Sequence, residues 1–246
     1  MSPFFTAAIV FAGVFAAAIC AMRLKVALPE AHLSKESEET VKLAMGLIAT
    51  LTALVLGLMI ASAKGSYDAN QSNVTMMASK IALLDRLLEL YGPESVSARE
   101  SLRQSVKHLT SRVWPSSPSS DADLTPDKTS ADTLYQDIHR LSPKDDDQRV
   151  LKTQAFTILT DIGQLRWLLF EQSGPSTSPI ITLVVVSWIA ILFFSFGLFA
   201  PSNSTVVVAL LAAAVSVAAS VFLVLELDQP FGGLMQIPSP RMLSNL

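Results

Sequence analysis

The chain has 246 residues, of which 50% are hydrophobic and 16% are charged, and its formal net charge is −3. This composition lacks the basic surface that nucleic-acid binding requires, and its apolar fraction favours a membrane protein. With Cys20 as the single cysteine, an intrachain disulfide is excluded.

Four apolar stretches cover residues 4–22, 41–63, 180–200 and 205–227. Each has roughly the 20 residues that a helix needs to cross a hydrocarbon core about 30 Å thick. No stretch alternates like a strand, and a lipid-embedded backbone must satisfy its hydrogen bonds internally. We therefore predict an all-α membrane protein with four transmembrane helices.

These stretches divide the chain into four predicted parts. Residues 1–63 form a transmembrane hairpin, residues 64–178 a helical extramembrane domain, and residues 179–227 a second hairpin. The tail, residues 228–246, is apolar enough to lie along the membrane interface or to pack on the helical domain. Four crossings place both termini and the helical domain on the same side of the membrane.

The first helix of the extramembrane domain continues from the second span. Between Val74 and Tyr91 the apolar residues recur in steps of three and four, a pattern close to a coiled-coil heptad. Because Gly65 alone interrupts the preceding sequence, we predict one helix from about Val41 to Tyr91. Gly92 and Pro93 should end it.

Three further helices are predicted in this domain, over about 94–114, 131–141 and 142–172. Ser142 and Pro143 fit the N-cap and the first position of the last helix, followed by Asp145–Asp147 where the helix dipole favours carboxylates. The segment 115–129 is rich in serine, proline and aspartate, which predicts a flexible loop.

The sequence offers little chemistry for an enzyme. It has no glycine-rich phosphate loop and no nucleophile motif. His32, His108 and His139 lie in separate segments without the spacing of metal ligands. The start of a helix already explains the carboxylates at 145–147. We therefore predict no catalytic residue, no metal site and no cofactor.

The second span carries a face of small or polar residues in steps of three or four. Small residues allow helices to approach closely in a membrane, and they also leave room for an aqueous pore. Both explanations hold if several copies of this helix surround an axis. The pore-lining candidates on this face are Gly46, Thr50, Ala53, Gly57, Ala61 and Lys64.

Charged residues near the ends of the spans are candidates for a pore mouth or a regulatory site. Lys64 and Asp68 are four residues apart, so they form either an interfacial ion pair or part of a charged pore mouth. Glu226 and Asp228 lie at the end of the fourth span. Asp228 either caps a turn begun by Pro230 or, with Glu226, makes an ion or regulatory contact.

Three parts of the sequence carry a resemblance to a known family. Residues 54–68 (LVLGLMIASAKGSYD), the pair Trp114-Pro115 and residues 227–233 (LDQPFGG) resemble a bacterial family of membrane proteins labelled bestrophin-like. Bestrophins are oligomeric ion channels with two spans, a helical cytosolic region, two more spans and a pore lined by the second span. The resemblance implies that architecture here.

The chain departs from bestrophins at two places. Residues 58–61 read LMIA where bestrophins have the aromatic residues of the pore neck, and the acidic run of the calcium clasp has no counterpart. Ion selectivity and calcium gating are therefore not implied. We predict a homo-oligomeric ion channel or channel-like protein; the alternative is a non-conducting scaffold or sensor whose helical domain binds a partner protein.

The expected partners are the lipid bilayer, further copies of the chain and, in a channel, inorganic ions. Basic residues near the membrane are almost balanced, with Arg23, Lys25, Lys35 and Lys42 on one side against Lys64, Arg166 and Arg241 on the other. This count alone leans toward a cytoplasmic first loop and a helical domain outside. The resemblance favours the bacterial inner membrane, with the helical domain and both termini in the cytoplasm.

Overall fold

A computed structural model describes residues 2–29, 34–115, 122–125, 128–174, 178–201 and 203–240. Within these ranges the chain is helical and contains no strand, which confirms the all-α prediction. The helices are α1 (Pro3–Leu24), α2 (Lys35–Tyr91), α3 (Val96–Val113), α4 (Lys128–Arg140), α5 (Asp146–Glu171), α6 (Pro179–Phe199) and α7 (Ser204–Leu227).

Four of these helices are long and apolar enough to cross a membrane, namely α1, α2, α6 and α7. Each of the four predicted spans thus lies in a long apolar helix. The helix α2 runs without a break from Lys35 to Tyr91, so the predicted continuous helix is confirmed and begins before Val41. Gly92 ends it with φ of 110°, a conformation that a residue with a Cβ rarely adopts.

The chain forms two compact units. The first comprises Met1–Gly65 and Pro175–Asp228, and the second comprises Ser66–Gly174 and Gln229–Leu246. The apolar stretches that could cross a membrane belong to the first unit. Residues 229–240 of the tail belong to the same unit as the helical domain, which was one of the two placements considered from the sequence.

In the first unit, α1 packs against α6 and α7. The contact between α1 and α6 is close at Gly197, where an added Cβ would overlap the carbonyl group of Ala18. Small residues at such crossings let two backbones approach, which favours packing in lipid. Farther along, Met59 of α2 shares a narrow crevice with Val185 of α6 and Val221 of α7.

The second unit has its own apolar core, built from apolar faces of four helices. Because each helix turns once in 3.6 residues, apolar residues three and four apart meet on one side and can be buried together. The central buried residues are Ile81, Leu84 and Leu88 of α2, Leu102 and Val106 of α3, Leu134 and Ile138 of α4, and Ile162, Leu165 and Leu169 of α5.

The start of α5 differs from the prediction. The N-cap is Asp145, not Ser142, and its Oδ1 accepts a hydrogen bond from the backbone N–H of Gln148 at 2.7 Å. The Gln148 side chain in turn accepts one from the backbone N–H of Lys144 at 2.9 Å. This exchange satisfies exposed donors around the first turn, so the helix begins at Asp146.

The predicted loop 115–129 lies partly outside the described residues. Its last two residues, 128–129, already belong to α4, so the loop is shorter than predicted. Its segment 122–125 is held to α3, because Asp123 accepts hydrogen bonds from the Arg112 guanidinium and its own N–H donates to Arg112 O at 3.0 Å. The guanidinium, together with bonds from Thr125, lowers the pKa of Asp123 to about 2. Leu124 packs against the core of the second unit.

Candidate functional site

The pore-lining candidates lie together on one face of α2, and every one of them is exposed in the single chain. They follow one another in steps of three or four, so the continuous helix keeps them aligned from Gly46 to Lys64. The face contains two glycines and two alanines, and it is therefore shallow. It could border another helix, lipid or a water-filled path.

The opposite side of the same span is the buried one. Thr52, Met59 and Ala63 are between 0% and 7% exposed. At 100° per residue, their mean direction lies about 140° around the helix from that of the small face. The chain thus uses one face of α2 for its own packing and leaves the small face uncovered.

Thr50 is the hydroxyl-bearing residue in the middle of the small face. Its Oγ1 donates a hydrogen bond to the carbonyl oxygen of Gly46 at 2.9 Å. Because the hydroxyl proton is engaged within the helix, the lone pairs of the oxygen are what Thr50 can offer outward. Such an oxygen can accept a hydrogen bond from water or coordinate a cation.

A cavity of about 580 Å³ lies in the first unit beside the beginning of the span. Gly46 and Ala49 of α2 line it together with Phe196 of α6 and Leu210 of α7. An ion pair stands at its edge, where Lys42 Nζ lies 2.5 Å from Glu38 Oε1. Gly46 therefore belongs to the exposed small face and also lines this cavity.

The other charged candidates differ in their exposure. Lys64 and Asp68 are exposed on α2. Glu226 is 2% exposed and lies in the last turn of α7, where Val224 and Leu227 are also buried. Asp228 is the C-cap of α7.

The turn that follows α7 begins after Asp228. It runs over Gln229–Gly232, where the Gly232 N–H donates to Gln229 O at 3.0 Å. Glu226 is thus an interior group of the single chain, and its proposed ion or regulatory contact stays a prediction. Lys64 and Asp68 remain candidates for a charged pore mouth.

The C-terminal segment 229–240 docks on the helical domain through contacts that the sequence analysis did not anticipate. The indole N–H of Trp114 donates to Ile237 O at 2.8 Å, and the ring of Phe231 meets the Trp114 ring edge-on with centroids 6.2 Å apart. A hydrogen bond of 2.8 Å from Ile237 N–H to Pro230 O closes the segment into a loop.

Metal-binding chemistry finds no support among the residues that the structure describes. No group of three or more histidine, cysteine, aspartate or glutamate side chains there could hold an ion. His139 instead packs against Tyr135 and Phe156, with ring centroids 6.5 and 6.4 Å away. His108 belongs to α3, and His32 lies outside the described residues.

Comparison with known protein families matches residues 12–241 to the Bestrophin-like domain. The match extends from α1 to the end of the C-terminal segment and so includes both units. The chain belongs to the bestrophin-like family. Searches of curated proteins and of solved structures each found no match. Two findings relate the chain to bestrophin channels: the match to the family and the four apolar helices that could cross a membrane.

Proposed function

We propose that this bestrophin-like protein is a homo-oligomeric ion channel or channel-like protein, with a pore lined by the small face of α2. One observation carries the proposal: Gly46, Thr50, Ala53, Gly57, Ala61 and Lys64 are all exposed, while the chain buries the opposite face of the same span. Several copies around an axis would turn these faces toward a shared path.

A second exposed face of α2 supports this arrangement. Leu43, Leu47, Leu51, Leu54 and Leu58 are each at least 41% exposed and follow one another in steps of three or four. At 100° per residue they lie about 80° around the helix from the small face. In an oligomer the leucines would meet lipid or the neighbouring copy, where bulky apolar groups are favourable, while the small face would border water.

Charge at the end of the small face would influence which ions enter. Lys64 of each copy would contribute an ammonium group to a ring that attracts anions and repels cations. Asp68, one turn farther along α2, would act in the opposite sense. The permeating species in this proposal are inorganic ions, and the chain has no catalytic role.

The proposal places the protein in the bacterial inner membrane, with the helical domain and both termini in the cytoplasm. Fusions of alkaline phosphatase to the tail test this placement. We expect no phosphatase activity, because the enzyme folds only where disulfides form. An active fusion would place the helical domain outside.

A second candidate function, a non-conducting scaffold or sensor, has its own support. Met76, Leu83 and Leu90 are about half exposed and stand seven residues apart on α2, outside the predicted span. A heptad spacing on an exposed face is suited to a helix of a partner protein or of another copy. A scaffold of this kind would leave the small face of the span in contact with lipid.

Cysteine substitution separates the two candidates. In a Cys20→Ser background, Thr50→Cys and Gly57→Cys should react with a charged, membrane-impermeant thiol reagent, because a pore brings water to them. Leu51→Cys is the matched control on the leucine face and should stay unreactive. Equal protection of all three positions in reconstituted vesicles would favour the scaffold.

Flux measurements test conduction itself. Purified protein in liposomes should pass a monovalent ion, and Lys64→Glu should shift the reversal potential under a salt gradient toward cation selectivity. Asp68→Lys should shift it toward anions. Absence of flux for both cations and anions would contradict the channel, and unchanged potentials in conducting variants would place the axis along another face.

A further inference from the structure

The core of the helical domain contains a cavity of about 230 Å³ that the channel proposal does not use. Its walls come from all four helices of the second unit, with Ile81 of α2, Val106 of α3, Leu134 of α4 and Ile162 of α5. These walls are buried and apolar. The cavity opens to solvent at its rim, where Asp132 and Tyr135 are exposed, so a molecule could enter it from solution.

Gly163 keeps this space open. It lies in the interior of α5, where glycine is less favourable than alanine, and it lines the cavity. A Cβ added to Gly163 would meet no atom within 4 Å. No neighbouring backbone therefore requires a glycine here, in contrast to Gly197. The missing side chain adds to the open space of the cavity.

Polar groups gather at the rim of the cavity. Asp132 of α4 and Arg166 of α5 line it and carry opposite charges. Thr160 also lines it, and because its hydroxyl donates to Phe156 O at 2.9 Å, its oxygen can still accept. Tyr135 adds an aromatic ring to the same rim. Apolar walls with a few convergent polar groups are typical of sites for small molecules.

We propose that this cavity binds a small neutral aromatic molecule that carries one hydrogen-bonding group, such as a phenol. The apolar ring occupies the space beside Gly163, and the hydroxyl lies at the rim, where Arg166 can donate and Asp132 can accept. A charged ligand would meet a like charge on one of these two residues. The volume exceeds the roughly 150 Å³ of a cavity known to hold benzene. The proposal does not depend on ion conduction.

The test uses the full chain in lipid nanodiscs and two matched fluorinated probes observed by ¹⁹F NMR. The neutral probe is 4-fluorophenol, and 4-fluorobenzoate differs by carrying an anionic group. We expect saturable binding of 4-fluorophenol, and weaker binding of 4-fluorobenzoate. Gly163→Phe places a ring in the cavity and should abolish the saturable binding, while nonspecific partition into lipid stays the same.

A second variant keeps the test decisive if Gly163→Phe does not fold. Gly163→Leu fills less of the space and should also remove saturable binding, and circular dichroism checks that the helices are retained. Gly13→Leu in α1 is the matched control, since a Cβ there also meets nothing within 4 Å, and it should bind as the wild type does. No saturable binding to the wild type, or unchanged binding to a folded Gly163 variant, would overturn the proposal.

Discussion

The indole nitrogen of Trp114 and the carbonyl oxygen of Ile237 are 2.8 Å apart, although 123 residues separate them in sequence. Ile237 is 1% exposed, so its carbonyl group depends on this donor. The bond ties the C-terminal segment, which also contains the PFGG run, to the end of α3. The segment is therefore an integral part of the helical domain.

Trp114→Phe should loosen this segment, because phenylalanine keeps an aromatic ring and loses the N–H. Leaving a buried carbonyl without its donor costs about 1–3 kcal/mol. We expect the free energy of unfolding to fall by that amount and hydrogen exchange across 231–237 to become faster. Trp167→Phe is the control, since Trp167 is 56% exposed, and equal effects of the two variants would contradict the docking role.

The ion pair between Asp85 and Arg99 joins α2 to α3 through two parallel hydrogen bonds, each 2.9 Å long. Both side chains are mostly buried, with 17% and 24% exposed. Asp85→Asn should lower the free energy of unfolding by about 1–2 kcal/mol, between the values for exposed and fully buried pairs. The exposed pair of Arg86 and Glu89 is the control, and Arg86→Gln should change stability by only a few tenths of a kcal/mol.

The stabilisation from Asp85 should depend on pH. The hydrogen bonds from Arg99 lower the pKa of Asp85 below its ordinary value of 3.8. The stabilisation is therefore complete above that value and is lost as the pH falls through the lower pKa of the folded state. We expect the free energies of unfolding of the wild type and of Asp85→Asn to differ by a constant amount from pH 7 to 5 and to converge below pH 3.8. If the difference in the free energy of unfolding instead grew as the pH fell, the pKa of Asp85 would be raised in the folded state, which would contradict the ion pair.

Two possible N-caps precede α5, and the structure selects Asp145. Asp145→Ala should lower the free energy of unfolding by about 1 kcal/mol, as the loss of an N-cap side chain usually does. Hydrogen exchange should become faster in the first turn, at residues 146–149. Ser142→Ala should change neither quantity, and an effect at Ser142 alone would restore the cap expected from the sequence.

Much of this fold is predictable because its signals are local. The length of an apolar run and the positions of charged residues are enough to place a membrane-spanning helix. The three-four spacing of apolar residues likewise gives the core faces of α2 to α5. The continuous α2 follows because neither proline nor a run of polar turn residues interrupts it, and Gly92 ends it where expected.

The remaining features depend on contacts between distant residues. Nothing local to Trp114 indicates that its N–H meets Ile237, because that contact exists only after the tail has folded back. The choice of Asp145 over Ser142 is a competition between neighbouring caps that the side chain of Gln148 helps to decide. The pore role of the small face stays a prediction. The structure contains a single copy of the chain, and the symmetry axis of an oligomer is defined only by several copies.

The close approach of α1 and α6 gives a sharp prediction about two glycines in apolar helices. A Cβ at Gly197 would lie 2.9 Å from the carbonyl carbon of Ala18, whereas a Cβ at Gly13 would meet nothing within 4 Å. Gly197→Ala should therefore force the helices apart and destabilise the protein by about 1–3 kcal/mol, the usual cost of overpacking.

Gly13→Ala is the matched control for this change, since it alters the same residue type in a helix that packs against α6. It should be neutral or stabilising by up to about 1 kcal/mol, because alanine favours a helix over glycine. Titration of both variants with a denaturing detergent in mixed micelles measures the difference. If Gly197→Ala resisted unfolding as well as Gly13→Ala, the two backbones could not lie as close at Ala18 as the structure places them.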